Sequence, residues 1–201
     1  MSDKPQFANR DPGDPAFWDE RFEHAFMPWD AGGVPRAVRD FVNAEPAPLA
    51  TLIPGCGAAH EVGWLAEHGW PVSAIDFSAA AVAAARAGLG PYGSHVRQAD
   101  FFTFEPAEPV DWVYERAFLC ALPPHLRAAY AQRVGELLPA GGRLAGFFFL
   151  GETPGGPPFG MDRATLLALL SPAFSLVQET PVDDSLPVFA GRERWMVWRR
   201  R

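Results

Sequence analysis

Apolar positions along this chain fall into two kinds of run. Short, nearly continuous apolar stretches occur at about 49–53, 72–75, 94–98, 110–114 and 143–150, and again at about 174–180 and 193–199. Between them the apolar residues recur with helical spacing, at about 58–68, 79–88, 124–138 and 162–171. The punctuation agrees. Ser78 is placed to cap the second of these helices, Pro123-Pro124 opens the third, and Pro139-Ala140-Gly141-Gly142 stops it. Strands alternating with helices predict a mostly parallel sheet with right-handed crossovers. The apolar run from Arg143 to Leu150 reads as a strand covered on both faces. Two consecutive strands at the end predict an antiparallel edge hairpin. The expected class is therefore α/β: a Rossmann-like, mostly parallel seven-stranded sheet with helices on both faces.

An aromatic-rich segment precedes the first strand. Phe17, Trp18, Phe22 and Phe26 recur with helical spacing, a turn follows over Met27–Gly33, and a second short helix is expected from Pro35 to Val42. Lying ahead of the sheet, this segment must pack on it as a cap. The layout expected is one domain over 1–201: residues 1–15 mobile, 16–48 a helical cap, 49–201 the sheet core.

Composition narrows the partners. The formal net charge of −7 makes a nucleic-acid backbone a poor partner. Two cysteines, Cys56 and Cys120, form no metal-spaced pair, so no metal site is expected and a reduced, cytoplasmic setting fits. No apolar run is long enough to span a membrane, and the polar start of the chain lacks the apolar core of a signal peptide. A monomer or weak homo-oligomer acting on a small molecule is the expectation.

The first strand ends abruptly in Pro54-Gly55-Cys56-Gly57, and the second stops at Asp76. Glycines there let a backbone pass close under a ligand, and a carboxylate at the second strand tip accepts hydrogen bonds from both hydroxyls of a ribose. A nucleoside-bearing cofactor is implied. The dinucleotide fingerprint wants a third glycine where this chain has His60, and Glu61 puts an acid beside the turn. S-adenosylmethionine, cationic and without phosphate, suits such a turn better than a dinucleotide. A nicotinamide-dependent oxidoreductase and a non-catalytic S-adenosylmethionine binder are the alternatives. Other residues follow strands directly, where open sheets bind ligands: Phe77, Asp100 and Phe101, and Glu115 and Arg116. Asp100 is placed to accept from an adenine amino group, with Phe101 flanking the ring. Two carboxylates flanked by aromatic residues, Asp30 and Glu115, are the general-base candidates, with His60 behind them.

Six ordered motifs then carry a resemblance. Phe17-Trp18-Asp19-Glu20-Arg21-Phe22, Pro28-Trp29-Asp30, Ile53-Pro54-Gly55-Cys56-Gly57 and Ala74-Ile75-Asp76-Phe77-Ser78 resemble the thiopurine S-methyltransferase family. So do Tyr114-Glu115-Arg116-Ala117-Phe118-Leu119-Cys120-Ala121-Leu122-Pro123 and Gly156-Pro157-Pro158-Phe159. The Pro-Trp-Asp element is closer to the plant-type thiol and halide methyltransferases, and the last two elements to the bacterial thiopurine branch. The resemblance implies a class I methyltransferase fold using S-adenosylmethionine. By position, Phe22 stands where the family often has a cofactor-contacting Trp, and Trp29, Gly55, Asp76 and Arg116 match cofactor-site positions. Asp76 replaces a common Glu, and Gly55 a common Leu. The expected cofactor set is Phe22, Trp29, Gly55, Cys56, Gly57, Asp76, Phe77, Ser78, Asp100, Phe101 and Arg116; the expected catalytic set is Asp30, Glu115 and Arg116. The expected acceptor is a small thiol or similar soft nucleophile.

Overall fold

The computed structural model describes residues 6–201, so the first part of the segment expected to be mobile, residues 1–5, lies outside the described residues. In chain order the elements are α1 (Pro15–Glu23), α2 (Arg36–Ala44), β1 (Thr51–Pro54), α3 (His60–Glu67), β2 (Val72–Asp76), α4 (Ala79–Leu89), β3 (Val96–Gln98), β4 (Trp112–Arg116), α5 (Arg127–Leu137), β5 (Arg143–Phe149), α6 (Arg163–Leu170), β6 (Phe174–Pro181) and β7 (Glu193–Arg200). The seven strands form one sheet in the order β3-β2-β1-β4-β5-β7-β6. The β1, β2, β3, β4 and β5 pairings are parallel, and β7 runs antiparallel to both β5 and β6. The expected hairpin is present, with β7 inserted between β5 and β6 so that β6 forms the edge.

The strands are apolar on both faces because the sheet is covered on both, and residue parity sorts their side chains. Ile53, Ala74, Trp112, Tyr114, Phe147, Trp195 and Val197 point to one face, where they pack with Val38, Phe41 and Val42 of α2, Val62 and Leu65 of α3, and Val82 and Ala85 of α4. Leu52, Ile75, Val113, Leu144, Phe148, Met196 and Trp198 point to the other, against Tyr130 and Val134 of α5 and Leu166 and Leu170 of α6. The strand order reverses between β1 and β4, the switch point beside which open α/β sheets bind ligands.

Some boundaries differ from the sequence pattern: α1 stops at Glu23, short of Phe26, and Ala25 turns left-handed. The third strand begins at Val96 because Gly90–His95, opened by Gly90-Pro91, winds into a 3-10 turn first. The helix expected from 124 starts as a 3-10 turn over Pro124–Leu126 and becomes α-helical at Arg127. No helix of the described residues is long and apolar enough to cross a membrane.

Candidate active site

The C-terminal ends of the parallel strands form one edge, and the ligand groups gather there. Gly55 and Gly57 follow β1 with φ of +57° and +52°, left-handed values that a glycine adopts without cost. A Cβ on Gly55 would collide with the Phe118 ring, so the turn admits no larger residue while that ring stays in place. At the tip of β2, Asp76 is buried. Its Oδ2 accepts from Gly57 N at 3.1 Å and its Oδ1 from Ser78 N at 2.9 Å. Burial pushes its carboxyl up to about 6, against the pull of those backbone donors. A carboxylate has about four acceptor sites, so lone pairs remain on both oxygens after these two bonds. A desolvated carboxylate with acceptor capacity to spare, beside a glycine turn, fits a ribose.

The cap is fastened to the same edge. Asp19 of α1 accepts from Ser78 Oγ at 2.6 Å and from Ala80 N at 3.0 Å, so the first cap helix locks onto the N-terminus of α4. That brings Phe22 over Gly57, where a Cβ would meet the ring at 3.6 Å, and Trp29 stands edge-on to Phe22 and Trp18 with ring centroids 6.4 and 5.4 Å away. Beyond Trp29, Asp30 Oδ1 accepts from Gly32 N at 2.8 Å and pairs with His60 Nε2 at 2.9 Å, tying the cap turn to the start of α3.

Arg116, the last residue of β4, stacks on the Phe147 ring with its guanidinium 4.4 Å from the centroid. Among the described residues no carboxylate lies within salt-bridge distance of it. Burial works against its charge, but Tyr114, Glu61 and Glu193 more than offset that and hold it firmly protonated. The Tyr114 hydroxyl in turn donates to Glu61 Oε1 at 3.0 Å. Arg116 and Phe147 line a cavity of about 170 Å³ whose other walls come from the cap turn (Ala31, Gly33, Val34, Pro35), Arg39, the segment before β7 (Val182, Asp184, Ser185) and Glu193. None of Gly55, Cys56, Gly57 and Asp76 lines it. The edge thus has two compartments, a glycine-and-carboxylate one at β1 and β2 and a cavity at β4, β5 and β7.

Residues 13–201 match the family model described as thiopurine S-methyltransferase. The chain belongs to the thiopurine S-methyltransferase family. It is 31% identical over 191 residues to thiocyanate methyltransferase 1 of Arabidopsis thaliana, covering 91% of this chain and 84% of that protein. It is likewise 31% identical over 195 residues to a thiopurine S-methyltransferase of Vibrio cholerae, covering 86% and 89%. Among solved structures, the Burkholderia thailandensis 1,6-didemethyltoxoflavin-N1-methyltransferase with bound S-adenosylhomocysteine superposes with a TM-score of 0.73 at 18% identity, covering 98% of this chain and 92% of that one. The fold, the family and the enzyme class expected from the sequence, an S-adenosylmethionine-dependent methyltransferase, are borne out. Family membership sets aside the nicotinamide-dependent oxidoreductase.

For a chain of this family, the geometry sorts the expected site residues. Gly55, Gly57, Asp76 and Phe22 converge at the first compartment, with Ser78 serving as the cap of α4 through its bond to Ala81 N. Cys56 is half-buried in the turn, its thiol pushed well up by burial and by Asp76, so it stays protonated. Phe77 is half-buried beside Asp76. Asp100 is exposed and holds its own turn by accepting from Phe102 N at 2.9 Å.

Two expectations need correction. Phe101 is 4% exposed and packs inward against Phe118 and Tyr130, so it has no face to offer an adenine; the tight turn from Asp100 to Phe104 swings its ring into the core. Glu115 is 1% exposed and does not reach the cavity that Arg116 lines. Adjacent strand residues point to opposite faces, so Glu115 faces α5. There its Oε1 accepts from Phe118 N at 3.0 Å and Leu119 N at 2.9 Å, and its Oε2 accepts from Tyr130 Oη at 2.7 Å. It braces the turn after β4, where Ala117 is held at φ +55°, a left-handed value that costs a non-glycine residue about 1–2 kcal/mol.

Four residues escaped the sequence reading. Asp19 and Phe118 sit inside the family motifs but show no individual signal. Tyr114 was read as strand core, and its hydroxyl becomes visible only once α3 brings Glu61 to it. Glu193 opens the last strand with no motif around it.

Proposed function

We propose that this chain transfers the methyl group of S-adenosylmethionine to a small soft nucleophile, a thiol by preference, with the cofactor at the β1–β2 compartment and the acceptor in the β4–β7 cavity. The observation that carries this reading is the buried Asp76 carboxylate with spare acceptor capacity beside the Gly55–Gly57 turn.

Asp76 accepts the ribose hydroxyls, the glycine turn passes under the ligand, and Phe22 and Trp29 cover it from the cap. Phe77 and Asp100 border the base. S-adenosylmethionine brings an intrinsically activated methyl group, so the chain's task is to position, to orient and to exclude water. Arg116 attracts an anionic acceptor and lowers the cost of keeping it ionised. A thiol needs little base catalysis because a fraction is already thiolate near neutral pH. For acceptors that must lose a proton, Asp30, paired with His60 at the cap turn next to the cavity wall, is the candidate to receive it. The enzyme is cytoplasmic, as two thiols without a partner suit a reducing compartment, and it works as a monomer or weak homo-oligomer. Its net charge of −7 argues against nucleic acid as a substrate.

The test is calorimetry with S-adenosylmethionine, S-adenosylhomocysteine and NADH, followed by a methylation screen on thiols, hydrosulfide, thiocyanate and iodide. Micromolar binding of the adenosyl ligands, none of NADH, and turnover on thiols are expected. Binding without turnover on any of these acceptors would overturn the soft-nucleophile acceptor.

A further inference from the structure

The acceptor cavity is electrically two-sided, and one side has no task in the reading above. Strand parity places Arg116, Phe147 and Glu193 on the same face of the sheet, since Glu193 alternates in step with Trp195 and Val197, which pack with Phe147 and Tyr114. Because β7 is antiparallel, its first residue arrives at the edge where the parallel strands end; Glu193 pairs with Phe149, two residues beyond Phe147. The cavity therefore meets a guanidinium at β4, an aromatic ring at β5 and a carboxylate at β7.

Glu193 is 4% exposed, yet its Oε2 has no hydrogen-bond partner. The buried Ser185 Oγ on the same cavity is also without a hydrogen-bond partner, yet it lies close enough to the Glu193 carboxyl to pull its acid down. Asp184 adds a second carboxylate to that wall. A buried carboxylate oxygen with nothing to accept from is costly, and such groups in native proteins have an explanation. Burial pushes the Glu193 acid upward, partly offset by Ser185 and by the charge of Arg116. A plain soft anion such as thiocyanate or iodide would satisfy Arg116 and leave Glu193 facing a second negative charge. A neutral alkyl thiol would leave it empty.

We propose that Glu193, with Ser185, forms a subsite for a cationic amino group on the acceptor, so that the preferred substrate is a small aminothiol whose thiolate faces Arg116 and whose ammonium faces Glu193. This rests on the cavity being the acceptor site. Two carboxylates on one wall favour an ammonium over a neutral N–H. Phe147, between the two charged groups, supplies the apolar floor for the carbons that join them. Arg39, exposed, also lines the cavity and adds a second positive charge to it.

The experiment compares kcat/KM, referred to the thiolate fraction of each acceptor because the ammonium makes the aminothiol the stronger acid, for 2-aminoethanethiol, 1-propanethiol and a cyclic thioamide in the wild type, Glu193→Gln and Ser185→Ala, with S-adenosylhomocysteine affinity measured on each variant as the check on folding and on the cofactor compartment. The wild type is expected to favour the aminothiol over the alkanethiol by about tenfold or more, the equivalent of one good charge-assisted hydrogen bond. Glu193→Gln is expected to bring that ratio close to one mainly through KM for the aminothiol, and Ser185→Ala to lower it a few-fold, with S-adenosylhomocysteine affinity unchanged in both. Equal wild-type rates on the two thiols would overturn the subsite while leaving the methyltransferase reading intact. A loss in Glu193→Gln that is equal for both thiols would assign the residue a structural role instead. Preference for the cyclic thioamide, lost in Glu193→Gln, would overturn the ammonium in favour of a neutral N–H. Absence of turnover on all three, despite adenosyl binding, would remove the acceptor reading itself.

Discussion

The two compartments at the strand ends are built by different means. The β1–β2 compartment lies within one strand–turn–helix–strand unit. Its chemistry is backbone amides plus a single carboxylate, and its shape follows from two glycines with positive φ. The β4–β7 cavity is assembled from the cap turn, two parallel strands and the start of the last strand, and its chemistry is carried by side chains of opposite charge. A group common to every reaction of the family needs one fixed cradle, which local sequence can encode. An acceptor that varies among relatives acting on thiocyanate or on thiopurines needs walls drawn from separate segments that can change independently.

The comparison breaks most severely at Glu115. Replacing it by Ala leaves Phe118 N, Leu119 N and Tyr130 Oη without their acceptor, and at about 1–3 kcal/mol for a buried orphan the expected loss is roughly 3 kcal/mol after some rearrangement. Urea denaturation measures it. Glu115→Gln keeps the shape and part of the bonding, and turnover should fall no more than several-fold; a general base would lose far more. The pH signature is distinct. Burial raises the Glu115 acid to about 7, so the folded protein favours its protonated form. Its contribution to stability is full below the ordinary carboxylate range and is lost as pH rises through about 7. Denaturation midpoints of wild type and Glu115→Gln should therefore diverge in slope over that window.

A smaller effect sharpens the first compartment. Asp76→Ala should weaken S-adenosylmethionine binding by more than tenfold in calorimetry. Burial raises the Asp76 acid to about 6, so if Asp76 holds the ribose as proposed, wild-type affinity should climb as pH rises through about 6 and flatten in Asp76→Asn. Unchanged affinity in Asp76→Ala would remove the ribose assignment.

The smallest effect concerns the cap that spans both compartments. Trp29 packs against Trp18 and Phe22 and borders Cys120, Phe149 and Phe189. Trp29→Ala should lower turnover about fivefold while melting close to wild type, because the residue is half-buried and closes a site more than it fills a core. Wild-type kinetics in that variant would show the cap residue to be dispensable.

How much of this was legible follows the same division. Apolar runs and Gly/Pro punctuation located all seven strands, and the two consecutive final strands announced the hairpin. The glycine turn and Asp76 were readable because a short local segment holds both. Glu115 was misread by neglect of parity: alternation along β4 puts Tyr114 and Arg116 on one face and Glu115 on the other. Phe101 was misread because position after a strand does not fix the direction of a ring at a tight turn. Glu193 was invisible. Nothing near it in sequence marks a site, and only the antiparallel insertion of β7 beside β5 brings it to the edge that holds Arg116.

The division itself is tested most directly by crossing one variant from each compartment. Cofactor Kd by calorimetry and acceptor KM at saturating S-adenosylmethionine would be measured for Asp76→Ala and Arg116→Ala. The account predicts that Asp76→Ala raises Kd more than tenfold and leaves acceptor KM near wild type, while Arg116→Ala raises acceptor KM at least tenfold and changes Kd less than threefold. If Arg116→Ala weakens cofactor binding as much as Asp76→Ala does, the guanidinium holds the carboxylate of the cofactor, and the two compartments are one site.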